Sequence, residues 1–231
     1  MGAMAGPALA AIIMWRYYHH NPVPEWKWSH PKYYLLSVLG MLILWTLPAL
    51  NGLAFGNLFR LHRPIEAYVW VVIVASFTVG WLAGLGEEIG WTAYLLPHLA
   101  PHIGRSLALL VAGAIRGFWH LPVLIGSQIA PVISEPENLR KFIVVLMFVT
   151  LQLLLSNALF GTLLGCVWYK TESLPLIGWL HQWFDATRDI TILLVIGYTK
   201  TLWVRGLWQI PFYLVAVILL LQIWREDCKV S

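Results

Sequence analysis

Long apolar runs separated by short polar stretches form the main pattern of this chain. The runs cover residues 33–54, 66–86, 104–125, 141–168, 174–197 and 204–224. A membrane-spanning helix needs about 20 mostly apolar residues, so each run predicts one span. A shorter run at 6–18 is a candidate seventh span. Because the runs are continuous and lack the alternating polarity of a membrane barrel, the predicted fold class is all-α: a polytopic transmembrane helical bundle of about six to eight spans.

Polar and proline-containing stretches mark the predicted connections between these spans. They run from Arg16 to Pro31, from Arg60 to Pro64 and from Ser127 to Lys141. We find no internal repeat and no second domain. The expected organisation is a single membrane-embedded domain over 1–231, in which 1–32 form a truncated first span and its loop.

The composition excludes a water-soluble globular protein. Hydrophobic residues make up 59% of the chain and charged residues only 11%, which is typical of a multi-pass integral membrane protein in contact with lipids. The formal net charge is +4, but the basic residues are scattered and form no patch, so nucleic acid is not an expected partner. Cys166 and Cys228 have neither a disulfide pattern nor zinc-ligand spacing.

Two adjacent glutamates, Glu87 and Glu88, directly follow one apolar run. A charge at bilayer depth costs about 2.5–3.5 kcal/mol on insertion scales, so a carboxylate there marks a functional-site hypothesis. The alternative is a helix end at the interface, where both carboxylates reach water. We predict that the pair lies in a polar intramembrane cavity.

The other ionisable residues within apolar runs fall on two further predicted helices. Residues four apart share a helix face, which pairs Arg116 with His120 and His181 with Asp185. Each pair has a simpler interpretation. His120 is explained equally well as a buried histidine near Pro122, His181 and Asp185 as a pair joining helices, and Arg116 as a side chain extending to an interface.

Together these residues predict hydrolysis by an activated water. A glutamate in an apolar site can act as general base, and histidines on facing helices can share the water, protonate a leaving amine or donate to an oxyanion. We expect no cofactor and no metal site, because no His-Glu-x-x-His spacing is present. Zinc stays open, since Glu and His are among its ligands.

These motifs resemble the CAAX-protease and bacteriocin-processing family, also called the ABI or type II CAAX prenyl endopeptidase-like family. Its signature is Glu-Glu-x-x-x-Arg on one span, Phe-x-x-x-His on a second and His-x-x-x-Asn/Asp on a third, in that order. The corresponding positions here, in the same order and spacing, are Glu87, Glu88, Thr92, Arg116, His120, His181 and Asp185.

The resemblance implies a helical bundle with a water-filled cavity, in a bacterial or archaeal cell membrane, that cleaves a peptide or protein substrate, including lipidated ones. It implies that Glu87 and His120 activate water, that Glu88 supports them, and that His181 and Asp185 bind the oxyanion or hold the site. Two positions depart from the signature. Thr92 replaces the arginine and Arg116 replaces the aromatic residue.

Three functions therefore remain open. The leading one is a membrane-embedded endopeptidase that acts near a membrane surface. The second is a catalytically silent relative that binds a membrane partner or confers self-immunity, which the two departures favour. The third is a transporter with a carboxylate–histidine proton relay, which predicts discontinuous or repeated helices. If the site forms, we predict that Arg116 contacts the acid pair or Asp185, because a buried unpaired charge is costly.

Overall fold

The computed structural model of the chain describes residues 2–18, 25–54, 67–126, 139–191, 214–219, 221–222 and 225–226. Within these ranges the regular secondary structure is entirely helical, as predicted, with no strand. The helices are α1 (Gly2–Tyr18), α2 (Pro31–Ala54), α3 (Ala67–Ser76), α4 (Val79–Glu88), α5 (Leu96–Ile103), α6 (Arg105–Leu124), α7 (Leu139–Thr171) and α8 (Leu174–Thr191), with a π-helix at Ile89–Leu95 between α4 and α5.

The outer surface of this bundle is strongly apolar. Large hydrophobic side chains on α2, α6 and α7 stay exposed, among them Leu35, Phe118 and Leu151. In the described part of the chain, Arg105–Val123 and Leu146–Thr171 are long and apolar enough to cross a membrane, and a bent pair, Trp70–Ser76 with Val79–Ile103, adds a third candidate. The chain is thus a helical membrane protein with a few apolar spans.

The predicted span at 66–86 is broken. A turn at Phe77 and Thr78 separates α3 from α4, and the two helices meet at a bend of 49°. The Thr78 hydroxyl donates to the carbonyls of Val74 and Ala75, and the Ser76 hydroxyl donates to Val72. Such side-chain bonds compete with the helical hydrogen-bond ladder and bend helices, which the apolar pattern does not reveal.

Beyond Glu88 the chain stays helical where the sequence predicts the end of a span. The π-helix carries it from Glu88 to Leu96, and α5 continues to Ile103. Pro97 cannot donate a hydrogen bond and crowds the carbonyl four residues earlier, so the wider π geometry directly before it relieves this conflict. Gly104, at φ 78°, then ends α5 in a conformation that glycine adopts most readily.

Two helix pairs form the centre of the fold. α6 packs most extensively on α7, and α4 packs on α8. Small residues allow both approaches: a Cβ at Gly84 would lie 2.6 Å from the Gly178 carbonyl oxygen, and a Cβ at Gly113 would lie 2.5 Å from the Ala158 Cα. α1 packs on the π-helix, and Pro7 lies directly against Gly90 at this contact. The acid pair is therefore enclosed by close helix contacts.

The other predictions of chain organisation have mixed outcomes. The runs at 104–125 and 141–168 are confirmed as long apolar helices, α6 and α7, and α7 begins two residues earlier than predicted. The run at 174–197 forms α8 as far as Thr191, and 192–197 lie outside the described residues. Most of 204–224, the connection Arg60–Pro64 and Cys228 also lie outside them.

The close packing of α6 on α7 leaves no room for a side chain at Gly113. Replacing Gly113 with alanine is expected to lower the stability by about 1–3 kcal/mol, because the new Cβ meets backbone atoms that cannot rotate away. The matched control is Gly40→Ala in α2, where a Cβ has no neighbour within 4 Å and alanine favours the helix. Thermal unfolding midpoints in detergent check this; equal midpoints for both variants would contradict the close approach.

Candidate active site

The two glutamates lie at the end of α4, and both are buried. Glu87 is 1% exposed and Glu88 is fully buried. Because the chain continues as helix through the π segment, neither carboxylate is at a helix end that reaches water. The alternative of an interfacial helix terminus is therefore wrong, and each carboxylate needs partners inside the protein.

Glu88 is held by three donors. Its Oε1 accepts from Arg116 Nη2 at 2.6 Å and from His181 Nδ1 at 2.6 Å. Its Oε2 accepts from the Thr92 hydroxyl one helical turn further on. Both oxygens are thus engaged, and one of the bonds comes from a guanidinium that is itself 1% exposed. Charge-assisted bonds of this kind fix a carboxylate in position.

Glu87 has a different environment. Its Oε2 is buried and accepts no hydrogen bond from the described residues. His120 Nε2 on α6 lies 3.5 Å from this oxygen. This separation exceeds the usual N–H···O length of about 2.7–3.2 Å, so the two groups lie side by side without a direct hydrogen bond. The His120 side chain is 33% exposed, so this end of the site is the more open one.

α8 supplies the third part of the site. His181 Nε2 lies 3.6 Å from Asp185 Oδ2, while its Nδ1 faces Glu88. Asp185 Oδ1 accepts from Arg188 at 2.6 Å, and Arg188 also bonds Asp189 at 2.9 Å. Arg188 thus forms a local ion-pair cluster with Asp185 and Asp189. Both nitrogens of the His181 ring therefore face carboxylates.

Phe160 of α7 also lies in the site, although no sequence motif includes it. Its ring meets His181 edge-to-face at 5.1 Å between centroids and stacks on Phe184 at 4.2 Å. The Arg116 guanidinium lies 5.3 Å from the same ring centroid. Phe160 thus packs against two of the three hydrogen-bond partners of Glu88, Arg116 and His181. One phenylalanine in a long apolar helix carries no sequence signal of such a position.

The structure places the seven predicted residues in two neighbouring groups. Glu87 faces His120, and Glu88 bonds Thr92, Arg116 and His181, whose ring also faces Asp185. The predicted contact between Arg116 and the acid pair is confirmed, with Glu88 as the partner. Arg116 does not extend to an interface, as the alternative required. Among the described residues, no three His, Cys, Asp or Glu side chains are grouped so that they would hold a metal ion.

The chain also matches a protein-family sequence model. The model described as type II CAAX prenyl endopeptidase Rce1-like matches residues 64–187, slightly more than half of the chain. The chain belongs to this family. Among curated proteins, none matches the chain.

The matched segment of the CAAX endopeptidase family contains the whole network. It begins before α3 and ends within α8, so Glu87, His120 and His181 all lie inside it. The chain therefore belongs to a family of membrane endopeptidases. This membership also agrees with the resemblance inferred from the three motifs, although Thr92 and Arg116 depart from the family signature.

Proposed function

We propose that the protein is an intramembrane endopeptidase that hydrolyses a peptide bond near the membrane surface, in the manner of CAAX or bacteriocin-processing proteases. One observation carries the proposal. The two adjacent glutamates differ in their partners: Glu88 accepts three hydrogen bonds, whereas Glu87 Oε2 accepts none from the described residues and faces His120 at 3.5 Å.

This difference assigns a role to each carboxylate. A general base needs an oxygen within reach of the proton that it takes, and Glu87 keeps such an oxygen next to a histidine. Glu88 has both oxygens occupied, so it positions the surrounding residues. We assign Thr92, Arg116 and His181 to holding Glu88, and Asp185 to orienting His181.

The proposed reaction uses one water molecule, which Glu87 and His120 contact together from the open side of the pair. Glu87 takes a proton as the water oxygen bonds to the carbonyl carbon, and the carbonyl π electrons move to its oxygen. The tetrahedral intermediate then collapses and the C–N bond breaks. The proton passes through His120 to the leaving nitrogen, so that the products are one carboxylic acid and one amine.

The proposal includes a setting for this chemistry. We infer a single domain over 1–231 with about six to eight spans and a polar cavity within the bilayer, where Glu87, Glu88, His120 and His181 meet. The apolar outer surface of the described helices supports contact with membrane lipids. We place the protein in a bacterial or archaeal cell membrane, as the resemblance of its three motifs implies.

Family membership supports peptide or protein substrates, including prenylated ones. The test is the release of a C-terminal peptide by the purified protein in liposomes, from substrates with and without a prenylated cysteine. We expect release, and we expect it to persist after treatment with a chelator, because a Glu–His pair activates water without a metal. Loss of activity on chelation and its return with zinc would instead make Glu87, His120 and His181 metal ligands.

A catalytically silent relative is the second candidate, because Thr92 and Arg116 depart from the family signature. Their contacts weigh against it, since both side chains bond Glu88 and Arg116 supplies a guanidinium from another helix.

The transporter hypothesis predicts a discontinuous helix, and the break at Phe77 and Thr78 is one. That break lies about two and a half helical turns before Glu87, and family membership favours the endopeptidase.

A further inference from the structure

His181 lies between two carboxylates, and each of them has an arginine partner. On one side of the ring, Nδ1 bonds Glu88, which also accepts a hydrogen bond from Arg116. On the other side, Nε2 lies 3.6 Å from Asp185 Oδ2, and Asp185 Oδ1 accepts from Arg188 Nη1 at 2.6 Å. Arg188 lies outside the three motifs, so they do not explain the role of this second arginine.

The two carboxylates compete for one imidazole ring. Glu88 lies within hydrogen-bond distance of Nδ1, at 2.6 Å, whereas the 3.6 Å between Nε2 and Asp185 exceeds the usual hydrogen-bond length. An unpaired carboxylate so close to the ring would attract it strongly, because charges interact more strongly where water is largely excluded. The bond from Arg188 compensates the charge of Asp185, so the ring stays with Glu88.

Arg188 is itself held in place by two further contacts. Its Nε bonds Asp189 Oδ1 at 2.9 Å, and its guanidinium carbon lies 6.0 Å from the centroid of the Phe184 ring. Phe184 in turn stacks on Phe160, the ring that meets His181 edge-to-face. The Arg188 guanidinium therefore lies against the aromatic packing of the candidate site, and its side chain is only 31% exposed.

Arg188 is needed because of the charge of Asp185, not because of its shape. Asparagine has nearly the same shape as aspartate and no charge, so at position 185 it would attract the ring only weakly and would need no arginine. We propose that Arg188 is a positioning residue for His181. By pairing with Asp185, it leaves the ring bonded to Glu88, which in turn stays fixed beside Glu87. This inference rests on the proposed hydrolysis, in which Glu87 takes the proton of the attacking water.

The test compares four proteins by peptide release from a prenylated substrate in liposomes: wild type, Arg188→Gln, Asp185→Asn and the variant with both changes. Glutamine keeps a polar side chain but has no charge. We expect Arg188→Gln to lower kcat by about 10²-fold, the cost of a misplacement of about 1 Å in an active site, with little change in KM. Asp185→Asn should stay active. Adding Arg188→Gln to it should leave kcat unchanged, because no second carboxylate then competes for the ring.

Two further variants separate charge from other effects. Arg188→Lys keeps the positive charge but not the fork geometry of the guanidinium, so it should be more active than Arg188→Gln. Arg140→Gln is the matched control for loss of a positive charge, because Arg140 is exposed on α7 and belongs to no part of the candidate site; it should have the wild-type kcat. Unfolding midpoints in detergent identify any variant whose fold is damaged.

A purely structural role predicts the same loss for Arg188→Gln in both backgrounds, since the contacts with Asp189 and Phe184 are lost in each. That result would overturn the inference, as would a fully active Arg188→Gln protein, an inactive Asp185→Asn protein or an Arg188→Lys protein no more active than Arg188→Gln. The proposed function survives all four outcomes if wild-type protein releases peptide and Glu87→Gln does not. If wild-type protein releases none, the proposed function fails, and this inference fails with it.

Discussion

Replacing Arg116 with leucine is expected to destabilise the protein by about 3–5 kcal/mol, because Glu88 would keep a buried charge without its strongest partner. Activity should fall as well, since Glu88 would no longer be fixed beside Glu87. The Arg116–Glu88 pair is 2.6 Å long, and both side chains are almost completely buried. Thermal midpoints and peptide release measure the two effects separately.

The double variant Arg116→Leu plus Thr92→Arg tests why Arg116 matters. It returns a guanidinium to the position where the family signature has one, and we expect partial recovery of both stability and activity. Arg140→Leu is the control for loss of a positive charge, because Arg140 is exposed on α7. An Arg116→Leu protein with unaltered stability and activity would refute the compensating role.

Replacing His120 with alanine is expected to lower turnover by about 10²–10⁴-fold, the usual contribution of one proton-transferring side chain. The unfolding midpoint should change little, because the His120 side chain is 33% exposed and contributes less packing than a core residue. His102→Ala on α5 is the matched control, since His102 is exposed and lies outside the network. Full proteolysis by the His120 variant would remove this histidine from the mechanism.

The contacts of the site are largely predictable from the sequence. Charges are so rare in the apolar runs that Glu88, Arg116 and His181 have few partners other than one another. Helical spacing places Arg116 and His120 on one face, and the structure directs that face to the acid pair. Electrostatic cost and helix periodicity together therefore predict the network before any coordinates are known.

Local backbone features and apolar packing are not predictable in this way. The break at Thr78 depends on hydroxyl groups that bond carbonyls one turn back, and the same residues occur within unbroken helices, as Thr162 does in α7. The π-helix before Pro97 depends on how the chain absorbs a local conflict. Phe160 is chosen by the packing of three helices, and its type is common in every apolar run.

The central claim is that Glu87 activates the water that cleaves the peptide bond. Its most direct test compares peptide release by wild-type and Glu87→Gln proteins, reconstituted at equal amounts in liposomes and matched for unfolding midpoint. Glutamine keeps the shape of the side chain but cannot take the proton, so the account predicts a loss of at least about 10²-fold. Release by Glu87→Gln at the wild-type rate would contradict it.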